Sequence, residues 1–167
     1  IPAYSITPPD TLGYNPPKLF DYDPAKAREL LAEAGYPNGE GWPGLEIIYN
    51  TQEAHRKIAV AVQQMWKKEL NIDVSISNQE WKVYLNSVSQ RDFQVARRGW
   101  IGDYVDANNF LDLFLTDGGN NNTGYANDEF DDIILNLAPK AKSRDERYSL
   151  FYKAETMMMN EMPIIPI

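Results

Sequence analysis

The chain has 167 residues, 24 acidic and 16 basic side chains, a net charge of −8 and a hydrophobic fraction of 43%. That length carries one domain with a real core, and that hydrophobicity excludes wholesale disorder. The acidic balance, with no basic run, argues against nucleic acid or an anionic membrane as partner, and the absence of cysteine removes disulfides, thiolate metal sites and a cysteine nucleophile.

Residues 1–22 hold Pro2, Pro8, Pro9, Pro16 and Pro17 and read as an irregular lead-in. Its packing partner is left open and could lie outside this sequence. Asp23-Pro24 starts a helix, Asp as N-cap and Pro in the first turn, and Gly35 stops it. Ala27, Leu30, Leu31 and Ala34 form its apolar face. Leu45–Tyr49 is a strand. A helix over 52–69 carries Ile58, Val62, Met65 and Trp66 on one face. Ile72, Val74 and Ile76 alternate as a strand over 72–77. A third helix over 79–89 is expected to turn Trp81, Leu85 and Val88 inward. Residues 93–98 form the next strand, with Phe93, Val95 and Arg97 on one face.

Beyond Asp106 a short helix is predicted at Phe110–Leu115, then a polar loop over 117–122. A helix carrying Phe130, Ile133, Ile134 and Leu137 follows. The last helix opens at the box Ser143-x-x-Glu146 and buries Leu150, Phe151, Ala154, Met157 and Met158. The order β-α-β-α-β with short links predicts an α/β fold with a largely parallel or mixed sheet flanked by helices. No repeat or linker interrupts it, so residues 1–167 are expected to form a single lobe. The chain starts at Ile1 rather than Met, and Met162–Ile167 reads as an unfinished strand. A piece of a longer polypeptide is therefore expected. No apolar run is long enough to span a bilayer, and no signal peptide is present in these residues.

The richest stretch is Arg97-Arg98-Gly99-Trp100-Ile101-Gly102-Asp103-Tyr104, at the end of a strand where α/β folds present ligand groups. A cation, an indole face and a carboxylate within seven residues suit a zwitterionic ligand with apolar side chains, such as a peptide. Each residue also has a plain structural reading. Asp103 or Asp106 can serve a turn or cap, the commoner use of Asp from spacing alone. Trp100 can be a core residue at a strand end as readily as a pocket wall. The helical spacing of Trp81 with Leu85 and Val88 favours a core position. Arg97 can face a cleft and take a carboxylate in its planar fork, or pair with an acid; Arg98 points the other way as a surface charge. His55, the sole histidine, opens the second helix, where it can help hold a carboxylate or simply meet water.

Catalytic signatures are missing. No G-x-S-x-G, H-E-x-x-H or phosphate-binding glycine loop occurs. Asp103 and Asp106 lie too close in sequence to straddle a sugar, and Asp103, Asp106, Asn108 and Asp112 miss calcium-loop spacing. No enzyme activity, metal or cofactor is expected. A hydrolase domain with its nucleophile elsewhere in a longer chain stays open.

Several segments together resemble the extracellular solute-binding proteins that serve peptide ABC transporters, family 5, in particular its oligopeptide-binding members. They are Tyr22–Leu31 (with Asp-Pro-x-Lys-Ala-x-x-Leu-Leu), Ala34–Tyr36, Asn78–Lys82, Phe93–Trp100 with Asp103-Tyr104, and Tyr152–Glu155 through Pro163–Pro166. The likeness covers nearly the whole chain. It implies one lobe of a type II periplasmic-binding-protein, or Venus-flytrap, fold, the C-terminal lobe, with the other lobe supplied by the same polypeptide. It also implies that Asp103 receives a peptide's α-ammonium, that Arg97 and His55 meet the α-carboxylate, and that Trp81 and Trp100 line side-chain pockets. The backbone around Gly99 and Ile101 would pair with the ligand main chain beside Tyr104. Expected partners are an oligopeptide and ABC permease subunits, in a monomeric protein exported to the periplasm or cell surface. Members for dipeptides or non-peptide solutes remain alternatives. Arg98, and Val105–Asn109 without a proline after the acid, depart from the family pattern and bear on pocket shape and length preference.

Overall fold

Asp23 caps the first helix as its sequence requires: its Oδ1 accepts the Lys26 N–H at 2.9 Å, and helix α1 (Pro24–Glu33) follows. The structure, a computed structural model, describes residues 3–167, so Ile1 and the Pro2 of the lead-in lie outside the described residues. The described chain divides into two units, residues 22–99 and residues 1–21 with 100–167.

In the 22–99 unit, α1 ends on Gly35 at φ +96°. Gly35 N–H returns to Ala32 O and Tyr36 N–H to Leu31 O, the paired closure of a left-handed glycine stop. Strand β1 (Leu45–Asn50) leads into helix α2 (Glu53–Leu70). Strand β2 (Val74–Gln79), helix α3 (Trp81–Ser89) and strand β3 (Val95–Ala96) complete the unit. The sheet has the order β2-β1-β3, and both pairings are parallel. Alternation along β1 makes two cores. Ile47 and Tyr49 pack with Ala59, Ile72 and Val74 on the α2 side, and Ile48 packs with Tyr84 and Val88 of α3 on the other.

Five expectations shift here. The strand predicted over 93–98 pairs only at Val95 and Ala96, extended by Arg97 N–H to Ile48 O at 2.9 Å. At Gln94 the side-chain oxygen, not the backbone, takes the Glu46 N–H. With so short a ladder, strict alternation does not reach Phe93, which packs with Ile48 and Tyr84 while Val95 packs with Ile47. Trp81 is 53% exposed and Leu85 also faces out, because the buried face of α3 is Tyr84, Ser87 and Val88, rotated from the expected stripe. Leu30 of α1 and Met65 of α2 are exposed as well. The strand expected at 72–77 begins at Val74, because Asn71 ends α2 in the left-handed region at φ 55°.

The other unit is helical. Helix α4 (Asn108–Leu111) continues as a 3₁₀ turn, Asp112–Phe114. Helix α5 (Asp128–Asp132) widens to a π turn over Ile133–Leu137 and tightens at Ala138–Lys140, where Pro139 removes a donor. Helix α6 (Arg144–Glu161) is capped by Ser143 Oγ, which accepts the Glu146 N–H at 3.1 Å. Glu146 reaches back to the Lys142 N–H at 2.7 Å, one residue before the cap. Leu111, Phe130, Phe151, Ala154 and Met158 are fully enclosed. In the polar loop, buried Asn121 donates to the carbonyls of Phe114, Leu115 and Tyr125.

The lead-in has its partner in this unit. Ser5 Oγ and Thr7 N–H donate to Glu155 Oε1, and Tyr14 O–H donates to Oε2 at 2.8 Å. The tail predicted as a strand is not one. Met162 ends α6 at φ 52°, and residues 163–167 have no ladder partner among the described residues.

Candidate functional site

Residues singled out from sequence fall in both units: Trp81, His55, Arg97 and Gly99 in the first, Trp100, Ile101, Asp103 and Tyr104 in the second. Each group has its own geometry.

In the sheet unit, Arg97 follows the last residue of β3. The strand carries it there by backbone pairing to Ile48, and Tyr84 O–H donates to its carbonyl at 2.7 Å. Its guanidinium lies beside Gly99, where an added Cβ would stand 3.6 Å from a terminal nitrogen. The Nε of Arg97 is buried and makes no hydrogen bond among the described residues. His55, in the first turn of α2, is half-buried with Nδ1 2.8 Å from Asn50 Oδ1 at the end of β1. Loss of solvent and the positive charge of Arg97 both push the His55 imidazole below its ordinary pKa, against a hydrogen bond with the backbone of Asn50. A neutral imidazole beside a fixed cation is a place where an anion restores charge balance. Trp81, first in α3 behind the Glu80 cap, stacks on Tyr84 with centroids 5.9 Å apart and its other face in solvent.

In the helical unit, Trp100 leans on the core and donates its indole N–H to Asn109 Oδ1 at 2.8 Å. The same oxygen accepts the Asp103 main-chain N–H at 3.3 Å. The Asp103 side chain is exposed, and its carboxylate makes no ion pair or hydrogen bond among the described residues. Its charge adds to burial in pushing the half-buried Asp112 carboxyl upward. Ile101 is 90% exposed, and Tyr104 is exposed with its hydroxyl 3.4 Å from Asn108 Nδ2. Asp106 serves structure: Arg147 grips it with two bonds of 2.6 and 3.0 Å, and it caps the Asn108 N–H at 2.8 Å.

Sequence reasoning passed over Asn109, Asn50 and Tyr84, which hold the singled-out residues in place. Tyr84 was within reach of it, since a residue three positions after Trp81 shares its helix face. Charge is divided too. Residues 1–21 with 100–167 carry 14 acids against 6 bases, whereas residues 22–99 carry 10 of each. The whole net charge therefore lies in the unit that holds Asp103. Among the described residues, no group of three or more His, Asp or Glu side chains converges to hold a metal ion, and no helix is long and apolar enough to cross a membrane.

Comparison with known proteins gives a consistent answer. The chain is 41% identical over 175 residues to the oligopeptide-binding protein OppA of Bacillus subtilis, covering 100% of this chain and 32% of that protein. It superposes on the Escherichia coli murein tripeptide binding protein MppA with a TM-score of 0.90 at 38% identity, covering 99% of this chain and 33% of the other. Haemophilus influenzae OppA in complex with RPPGFSPFR gives 0.88 at 35% identity, covering 99% and 34%. The chain thus spans about a third of the length of the relatives it matches. Its fold is that of one lobe of a type II periplasmic binding protein. Residues 1–122 match the family described as bacterial extracellular solute-binding proteins, family 5 Middle, and the chain belongs to that family.

Proposed function

We propose that this chain is the ligand-binding C-terminal lobe of an ABC importer's solute-binding protein, and that it captures oligopeptides without altering them. Asp103 anchors the α-ammonium, Arg97 and His55 receive the α-carboxylate, and Trp100 and Trp81 wall the side-chain pockets. Backbone at Gly99 and Ile101, next to Tyr104, pairs with the peptide main chain. The observation that carries the reading is the Asp103 carboxylate: solvent-facing, unpaired among the described residues, and held by its own backbone. Main-chain pairing gives affinity without regard to sequence, charged ends fix direction, and exposed aromatic faces accept varied residues. Closure of the lobe against the rest of the polypeptide then presents a loaded protein to the permease, at the periplasmic or outer cell surface.

Calorimetry on the full-length protein with trialanine tests this. Asp103→Ala is expected to weaken binding by about 2–5 kcal/mol, the loss when a desolvated charge pair is left with one partner. Unchanged affinity overturns the assignment. Mass spectrometry of trialanine after prolonged incubation separates capture, which returns it intact, from hydrolysis.

A further inference from the structure

Asn109 is 3% exposed, although Ile101–Val105 just before it meets solvent. It sits in α4, two residues before the fully buried Leu111, so the helix is seated in the core and the side chain has little freedom. Its Oδ1 takes hydrogens from Trp100 Nε1 and from the Asp103 backbone. A carboxamide oxygen has two lone pairs, and both are used. Bonds of this kind in a water-poor setting are strengthened, and breaking them strands buried polar groups. We propose that Asn109 is the positioning residue of the binding loop, fixing the Trp100 ring and the main chain that carries the Asp103 carboxylate in one geometry before ligand arrives.

The rest of the loop is built around that oxygen. At Gly102, an added Cβ would press on the Phe110 ring at 3.1 Å and make ordinary contact with Asn109 Oδ1 at 3.5 Å, so the loop runs close over both residues. The far end is fixed by the Asp106–Arg147 fork. Asn109 acts on ligand through Asp103 and Trp100, so its contribution is preorganisation: the loop does not have to be ordered at the expense of binding energy. This inference rests on the reading of Asp103 as the ammonium anchor.

Two measurements on the full-length protein test it and keep its failure distinct from failure of that reading. The first needs no ligand. The Trp100 indole signal, assigned in ¹⁵N-labelled protein with Trp100→Phe, is expected to exchange slowly with solvent in the wild type and fast in Asn109→Ala. Equal, fast exchange in the wild type overturns the proposal, whether or not the alanine variant folds. The second is calorimetry with trialanine. Asn109→Ala is expected to weaken binding about tenfold, and to add little once Asp103→Ala is present, because one residue acts through the other. Asn109→Ser replaces it if the alanine variant does not fold. Additive losses, or wild-type affinity in the Asn109 variant beside a weakened Asp103→Ala, overturn the positioning role alone. Wild-type affinity in Asp103→Ala overturns the reading of the site itself.

Discussion

The hydroxyl of Tyr14 and the carboxylate of Glu155 meet at 2.8 Å inside the helical unit, 141 residues apart in sequence. Glu155 is fully enclosed and makes no ion pair among the described residues; Ser5, Thr7 and Tyr14 donate hydrogen bonds to it. The proline-rich lead-in is therefore pinned by a buried acid rather than by secondary structure. Glu155→Ala leaves three donors unmet and is expected to cost about 2–4 kcal/mol in denaturant unfolding. Glu155→Gln should cost less, since its amide oxygen still serves Ser5 and Thr7 while the Tyr14 hydroxyl turns to accept.

The same group gives a pH dependence. Burial pushes Glu155 above its ordinary value of 4.5, against the hydrogen bonds from Ser5, Thr7 and Tyr14. A carboxyl whose native pKa exceeds its unfolded one favours the fold while protonated. That contribution is complete below about 4.5 and is lost as pH rises through the native value. The stability of the wild type relative to Glu155→Gln is expected to fall as pH rises from 4.5, in matched unfolding curves. A flat difference across that range contradicts the shift.

Local rules explain what the sequence makes legible. Asp23, Gly35 and Ser143 act on neighbours within a few residues, so their helix boundaries are readable directly. Phe130, Ile133, Phe151 and Met158 are buried as their spacing requires. Long-range partners leave no such trace: nothing near Glu155 in sequence announces Ser5 or Tyr14. The α3 stripe fails for a geometric reason. The inward face of α3 is Tyr84, Ser87 and Val88, and a helix period alone does not fix that phase. In the candidate site, the cation, indole and carboxylate around Gly99-Trp100 are readable as residue types, and the ligand role proposed for them rests on that chemistry. Asn109, which arranges them, looks like any polar residue at the start of a short helix.

Asp106 and Arg147 join α6 to the start of α4 by a two-bond fork, and Arg147 also lies over the Phe151 ring at 4.5 Å. Both side chains are mostly shielded, so the pair exceeds an ordinary surface bridge. Asp106→Ala is expected to lower stability by about 1–2 kcal/mol. Asp106→Asn, which keeps the cap to Asn108, should lose less. A loss below the error of the unfolding curves in both variants removes the fork from the account of the loop.

Gly39 tests the backbone of the sheet unit. It holds φ +77°, and an added Cβ would lie 2.6 Å from Asn71 O and 2.9 Å from Leu70 O. Neither carbonyl can retreat, because both belong to the end of α2, and Asn71 Nδ2 is bonded to Asn38 O at 3.0 Å. Gly39→Ala is expected to destabilise by about 1–3 kcal/mol through strain and overlap together. An alanine variant as stable as the wild type shows that the turn can move.

His55 and Arg97 share a charge relationship that NMR can read. Loss of solvent first, then the Arg97 cation, hold the imidazole below its usual 6.5, with the bond to Asn50 opposing. The sign follows: a base with a depressed native pKa favours the fold while neutral. That contribution is present above 6.5 and is lost as pH falls through the native value. The ring C–H titration is expected to show a midpoint below 6.5 in the ligand-free protein. Arg97→Ala should move the midpoint upward by removing the like charge. If His55 and Arg97 receive a ligand carboxylate together, saturating trialanine should also raise it, because the incoming anion favours imidazolium. A midpoint insensitive to both changes separates the two residues electrostatically and removes His55 from the carboxylate end of the site.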